Sequence, residues 1–137
     1  MKSRFSKSWK ASVKPRKQRK YLFNAPFHIK RRMLNALLSD GLKKKYGMRS
    51  LEVRKGDKVK IMRGEFKKNE GVVERVDVKY SKVFVQNISR QKRDGTKIAV
   101  SIHPSKLMIV EVKEEKNRVK AEVKKEKMEG KNGKESS

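Results

Sequence analysis

The sequence has no cysteine, three prolines and only 15 acidic residues among 137 positions. Without cysteine there is no disulfide frame, no thiolate metal site and no thiol nucleophile. The two histidines, His28 and His103, lie far apart in basic surroundings, and neither falls in an HExxH or other metal-ligand spacing. No carboxylate pair stands out from the lysines around it, and Ser101 to Ser105 forms no nucleophile elbow. An enzyme is therefore not expected, and neither is a cofactor or metal. No apolar run approaches the ~18 residues of a membrane helix. No signal-peptide core, myristoylation signal or prenylation cysteine is present. These absences predict a soluble intracellular protein with no membrane partner. The apolar fraction is 34%, below the usual ~45–50%, so any core is small and confined to part of the chain.

Positive charge is what the sequence has in excess. Lys and Arg number 40, and the formal net charge is +25. A globule at that charge repels itself unless a polyanion neutralises it. Residues 1–50 hold 16 basic and 1 acidic side chains, so more than half the excess sits in the N-terminal third. That segment lacks the interleaved acids of an ordinary solvated surface. RNA is the partner such a distribution suits.

Four stretches follow from composition and period. Residues 1–25 are a basic arm with too few apolar residues to fold alone. Arms of this kind order on RNA. Phe5 and Trp9 within it suit base stacking or docking on a neighbouring protein, and the sequence does not choose between them. Residues 26–50 predict a short helical segment. Pro26 opens it, and Ile29, Met33 and Leu37 form an apolar stripe with Leu34 and Leu38 beside them. Ser39 is the expected N-cap of a second helix through Leu42 to Tyr46, which Gly47 stops.

Residues 51–112 change period. Val59 and Ile61 alternate with lysines; Val76, Val78 and Tyr80 alternate with Asp77 and Lys79; Val83 and Val85 flank Phe84. Ile98, Val100 and Ile102 continue the pattern, and Met108, Val110 and Val112 are expected to repeat it. Turn signals at 55–57, 63–71, 80–82, 93–95 and 103–106 separate the runs. Five short strands in so little chain predict a small closed or nearly closed barrel. A parallel pair is not expected, because no crossover helix fits. Tyr80 and Phe84 read as barrel core or rim, and Phe66 as either packing or contact. Residues 113–137 are a charged tail, helical or disordered, with no assigned role.

The segment KGDKVKIMRGEFKKNEGVVERVDVKYS resembles a KOW motif: a strand, a loop, then a strand restarting at a glycine. Gly71 is the key position, either for unusual backbone angles or for close approach of another backbone. Gly64 loosens the preceding turn. Around this segment, FNAPFHIKRR, LSDGLKKKYGMRSL and IHPSK occur in order. Together they resemble the archaeal and eukaryotic family of large-subunit ribosomal protein L twenty-four (L twenty-six in eukaryotes), from about residue 10 to 112. The resemblance implies a mainly β fold, a small SH3-like five-stranded barrel with a short-helical basic N-terminal extension and a charged tail. It implies a structural constituent bound to large-subunit rRNA, chiefly the 5′ domain, with an early role in subunit assembly and a place near the polypeptide exit tunnel.

Carried onto this chain, the resemblance assigns RNA contacts to Lys10, Lys14, Arg16, Lys17, Arg19 and Lys20 of the arm, and to Lys30, Arg31 and Arg32. Arg49 belongs to the same set. On the barrel loops it assigns Arg54, Arg63, Lys67, Lys68, Lys82, Arg90, Lys92 and Arg93, and His103, Ser105 and Lys106 follow from IHPSK. The implied partners are large-subunit rRNA, neighbouring ribosomal proteins and ribosome-associated factors at the tunnel exit, with no homo-oligomer. Two alternatives remain at this level. A transcription-elongation or RNA-processing factor with a KOW barrel would need a further folded domain, which the arm is too short to supply. A polybasic binder of acidic membranes would need more anchoring aromatics.

Overall fold

The structure is a computed structural model that describes residues 5, 6, 9, 12–113 and 118. The first helix, α1, spans Pro15–Asn24, inside the arm expected to lack structure. Pro15 presets the first helical turn, and the Arg, Lys, Gln and Leu that follow are good helix formers. The helix stops because Ala25 precedes Pro26 and is driven out of the helical region, to φ −59° and ψ 132°. None of its residues is buried.

The segment after Pro26 departs from the expected helix. Helix α2 covers only Phe27–Arg32, with Pro26 at its N-cap. The remainder of the apolar stripe becomes strand β1, Asn35–Leu38. Leu34, Ala36 and Leu38 are buried while Asn35 is exposed. The same residues thus satisfy period two as well as period four, and strand pairing decides between the readings. Helix α3, Asp40–Tyr46, forms as expected, with Ser39 at the N-cap position. Gly47 ends it in the left-handed region, its N–H donating to the Lys43 carbonyl at 2.9 Å.

Six more strands follow: β2 Ser50–Glu52, β3 Lys58–Ile61, β4 Glu70–Asp77, β5 Lys82–Gln91, β6 Lys97–Ile102 and β7 Leu107–Glu111. They make one seven-stranded sheet in the order β2-β1-β7-β3-β4-β5-β6, which is not closed. The five expected strands are β3 to β7; β1 and β2 are additions. Contrary to expectation one pair is parallel, with Leu37 opposite Met108 and Leu38 opposite Ile109. No crossover helix is needed there, because the whole intervening sheet makes the connection. β7 also turns its other face inward. Leu107 and Ile109 are buried, rather than Met108, Val110 and Val112. LMIVEV is apolar on both parities, so alternation could not orient it.

The core is built from Ala36, Leu38, Tyr46, Val53, Val59, Ile61, Val73, Val83, Val85, Ile88, Ile102, Leu107 and Ile109. Two features hold its geometry. Gly71 opens β4 where β5 crosses it. A Cβ at Gly71 would lie 2.7 Å from Val85 Cγ1 and 3.0 Å from the Gln86 carbonyl oxygen. Close approach, not a special backbone angle, is therefore what this glycine provides. The second feature is Asp57, fully buried beside the β2–β3 turn. Its carboxylate accepts from the Arg54 and Lys113 backbone N–H groups at 2.8 and 3.1 Å. Arg118 completes the set with a two-pronged ion pair at 2.6 and 2.5 Å, and also donates to the Glu52 carbonyl at 2.7 Å.

Two outcomes test these features. Gly71→Ala forces β4 and β5 apart, and urea unfolding will show a loss of about 1–3 kcal/mol, the usual cost of overpacking. Arg118→Ala leaves a buried carboxylate without its countercharge. Chemical denaturation will show a loss of about 3–5 kcal/mol, as for other broken buried pairs.

Candidate nucleic-acid interface

The loop between β3 and β4 is tightly held. The Lys68 N–H donates to the Ile61 carbonyl at 2.9 Å, and the Ile61 N–H donates to the Asn69 carbonyl at 2.9 Å. Lys67 N–H reaches the Gly64 carbonyl at 3.1 Å. Gly64 takes φ +101°, which suits its role in the turn. Phe66 packs against the core, so it anchors the loop from below. Arg63, Lys67 and Lys68 are left exposed on top. Lys68 itself takes φ 76°, a region that costs a side-chain-bearing residue roughly 1–2 kcal/mol. Glycine or asparagine would sit there more cheaply, and strain of this kind gathers at functional positions.

The 3-10 turn at Pro104–Lys106 is stitched to this loop, since the Met62 N–H donates to the Lys106 carbonyl at 2.8 Å. Arg63, Arg90 and Lys106 therefore share one shallow depression of about 170 Å³ with Gly64, Glu65 and Phe66. Arg90 is ion-paired with Glu65 within it. His103 caps the 3-10 turn. Its Nδ1 accepts from the Ser105 N–H at 3.2 Å and lies 2.9 Å from Ser105 Oγ. Partial burial, then the nearby Lys82 and Lys106 charges, hold the His103 imidazole below its usual pKa.

A second group lines a cleft of about 810 Å³ between α1, α2 and the β4–β5 turn. Arg19, Lys30, Lys82 and His103 meet there. Lys30 also donates to the Phe23 carbonyl at 3.2 Å, closing the end of α1. A third group surrounds α2. Arg31 forms a two-pronged pair with Glu52 at 2.8 and 3.2 Å, which raises its pKa, and Arg32 lies beside it. Arg54 also approaches Glu52, at 3.9 Å.

The remaining expected residues are dispersed. Lys14 stands at the α1 N-cap. Arg16, Lys17 and Lys20 are exposed along α1, and Lys17 and Lys20 border a small hollow beside Phe5, Trp9 and Tyr21. Arg49 is exposed before β2, and Lys92 and Arg93 are exposed at the tip of the β5–β6 hairpin. Lys10 and most of the tail lie outside the described residues.

Sequence reasoning missed Lys79 and Tyr80 as cleft residues. Strand β4 ends at Asp77, so Tyr80 leaves the sheet and is 63% exposed. The YSK turn signal could have indicated this, because an aromatic in a tight turn cannot follow the strand's alternation. Phe84 remains half-buried in β5, with the Arg75 guanidinium 4.2 Å from its ring centroid. Among the described residues no cluster of His, Asp and Glu could hold a metal. No helix there is long and apolar enough to cross a membrane.

The arrangement offers cations on held loops and rings beside them, which suits a polyanion with stackable bases. Comparison with known proteins agrees with the resemblance read from the four motifs. The profile of the family that comprises the eukaryotic L26 and the archaeal L twenty-four ribosomal proteins matches residues 12–125. The "Large ribosomal subunit protein uL24" of Korarchaeum cryptofilum (strain OPF8) is 50% identical over 101 residues, which is 74% of this chain and 77% of the relative. The chain belongs to this family of ribosomal proteins.

Proposed function

We propose that the chain is a non-catalytic, structural constituent of the cytoplasmic large ribosomal subunit that binds large-subunit rRNA, chiefly the 5′ domain. It supports early subunit assembly and sits near the polypeptide exit tunnel, beside neighbouring ribosomal proteins and the factors that visit that site. In this reading β7-β3-β4-β5-β6 is the five-stranded SH3-like unit, to which β1 and β2 are added. The basic arm, the 26–50 segment and the loops carry the RNA contacts.

The β3–β4 loop is the observation that carries the reading. A packed phenylalanine and a backbone lattice hold Arg63, Lys67 and Lys68 outward, and Lys106 lies alongside. Cations held in place lose less freedom on binding than cations on loose chain. Neutralised phosphates release condensed counterions, and that release supplies most of the grip. Selectivity comes from RNA shape, 2′-hydroxyls and unstacked bases, since the A-form major groove is too deep and narrow to read.

Filter binding of the full chain to a 5′-domain transcript tests this. With ~6–10 phosphate contacts, affinity falls by roughly 10³–10⁵ between ~50 and ~200 mM salt on duplex DNA, and a steep loss of the same kind is expected here. Replacing Lys67 and Lys68 by Ala lowers the log–log salt slope by about two. Salt-insensitive binding, or absence of the chain from purified large subunits, would overturn the reading.

His103 gives a second test. Partial burial, then the Lys82 and Lys106 charges, disfavour its protonated form in the free protein. A bound phosphate reverses that local field and raises the imidazole pKa, so binding takes up a proton. Affinity is therefore expected to rise as pH falls through the raised pKa of the bound imidazole, and to level off only below the pKa of the free one, which lies under the usual histidine value. His103→Gln flattens the His103 part of that profile. An unchanged profile in the variant would remove His103 from the interface.

A further inference from the structure

The cleft between α1 and the β4–β5 turn combines two chemistries in one wall. One is aromatic. The Trp9 and Tyr21 rings stack at 4.3 Å between centroids and 25° between planes, and Phe5 packs on Tyr21 at 4.9 Å. Tyr80 and Phe23 also line the cleft, and they are 63% and 82% exposed. The other chemistry is cationic, from Arg19, Lys79 and Lys82. Among the described residues lining the cleft, none is acidic.

The turn is held so that Tyr80 stays out of the core. Ser81 takes φ 52°, and the Tyr80 N–H donates to Asp77 Oδ1 at 3.3 Å. Lys79 Nζ lies 5.2 Å from the Tyr80 ring centroid, which places a cation beside a stacking surface. The cleft, about 810 Å³, falls within the ~300–1,000 Å³ range of sites that enclose a small organic group. An apolar protein segment would cover the rings but leave the cations with no countercharge in a partly dried site. A nucleotide satisfies both, because its base presents a π-face and its phosphate a negative charge. His103 adds specificity at one end. With Nδ1 engaged by Ser105, Nε2 is the ring nitrogen that faces outward, a donor for a base edge or a phosphate.

We propose that this cleft receives an unstacked nucleotide of the bound RNA, its base against the Trp9, Tyr21 and Tyr80 rings and its phosphate among Arg19, Lys79 and Lys82. The proposal rests on the RNA-binding reading above and names one site within it.

Trp9 is the sole tryptophan of the sequence, so its emission reports on the cleft directly. The full chain is titrated with a 5′-domain rRNA transcript, following Trp9 fluorescence and filter binding together, for the natural sequence, Tyr80→Phe and Tyr80→Ala. The expected result is quenching of Trp9 with saturation at the binding midpoint. Tyr80→Ala then weakens binding by roughly 5- to 150-fold with an unchanged salt slope, the loss expected for one stacked base. Tyr80→Phe retains most of the affinity. Salt-dependent binding with unchanged Trp9 emission and no effect of Tyr80→Ala would overturn the site while leaving the RNA-binding reading in place. Tyr80→Ala that impairs entry into large subunits but not RNA affinity would assign the cleft to a protein partner and also overturn it. Absence of any RNA binding would overturn both.

Discussion

Like-charge repulsion is the constraint every other feature of this chain must meet. A net charge of +25 surrounds a core made mainly of Val, Ile and Leu on short strands. Its few acids meet particular cations. On β3, Lys58 and Lys60 meet Glu111 and Glu70, each at 3.0 Å. Glu52 faces Arg31, Glu65 faces Arg90, and Asp40 faces Lys43. Exposed pairs of this kind add little stability, ~0–1 kcal/mol. Their larger effect is on the field. They quiet the sheet flank and leave the β3–β4 loop tip and the α1 cleft strongly positive. In the proposed reading, polyanion binding relieves the repulsion that folding leaves behind and stabilises the folded state through mass action.

Strands with one apolar parity were legible in the sequence. Val59 and Ile61, Val83 and Val85, and Ile102 are buried where alternation put them. Helix α3 was legible from its ends: Gly47 is a local stop, and Ser39 takes the N-cap position, although its side chain makes no cap bond and its N–H donates to the Ile109 carbonyl of β7 at 2.9 Å. The failures share one cause. Residues 34–38 fit both a helical stripe and a strand, and the choice came from pairing with β7 and β2, distant in sequence. The sequence LMIVEV fits either face, and its neighbours chose which. Helix α1 was hidden because a composition poor in apolar residues argues against a core, not against a helix.

The candidate interface was legible as residue types but not as an arrangement. Basic residues at loops and on the arm could be counted. That Arg31 faces Glu52 and Arg90 faces Glu65 could not, because those partners lie more than twenty positions away. Tyr80 shows the same limit from the other side. Its parity with Val76 read it as barrel core or rim, and because β4 stops at Asp77 the turn puts the ring outside the core. A small difference in where a strand ends converted a core candidate into the wall of a cleft.

Asp57 and Arg118 tie the tail to the sheet. The KGD turn signal announced a bend at 55–57, and a turn aspartate is normally solvated. Here it is fully buried, and its carboxylate gathers two backbone N–H groups and both prongs of one guanidinium. Two ions taken out of water need their donors and acceptors paired in good geometry; both terminal nitrogens of Arg118 are paired with Asp57, while its Nε is buried with no hydrogen-bond partner among the described residues. The Arg118 side chain is 2% exposed, so the pair is shielded from the salt that would screen it at the surface. The consequence divides the chain's electrostatics by depth. In the proposed reading, loop and arm cations weaken their hold on a polyanion as ionic strength rises, whereas the buried pair keeps Arg118 against the β2–β3 turn. The same kind of charge thus serves binding where water reaches it and architecture where water does not.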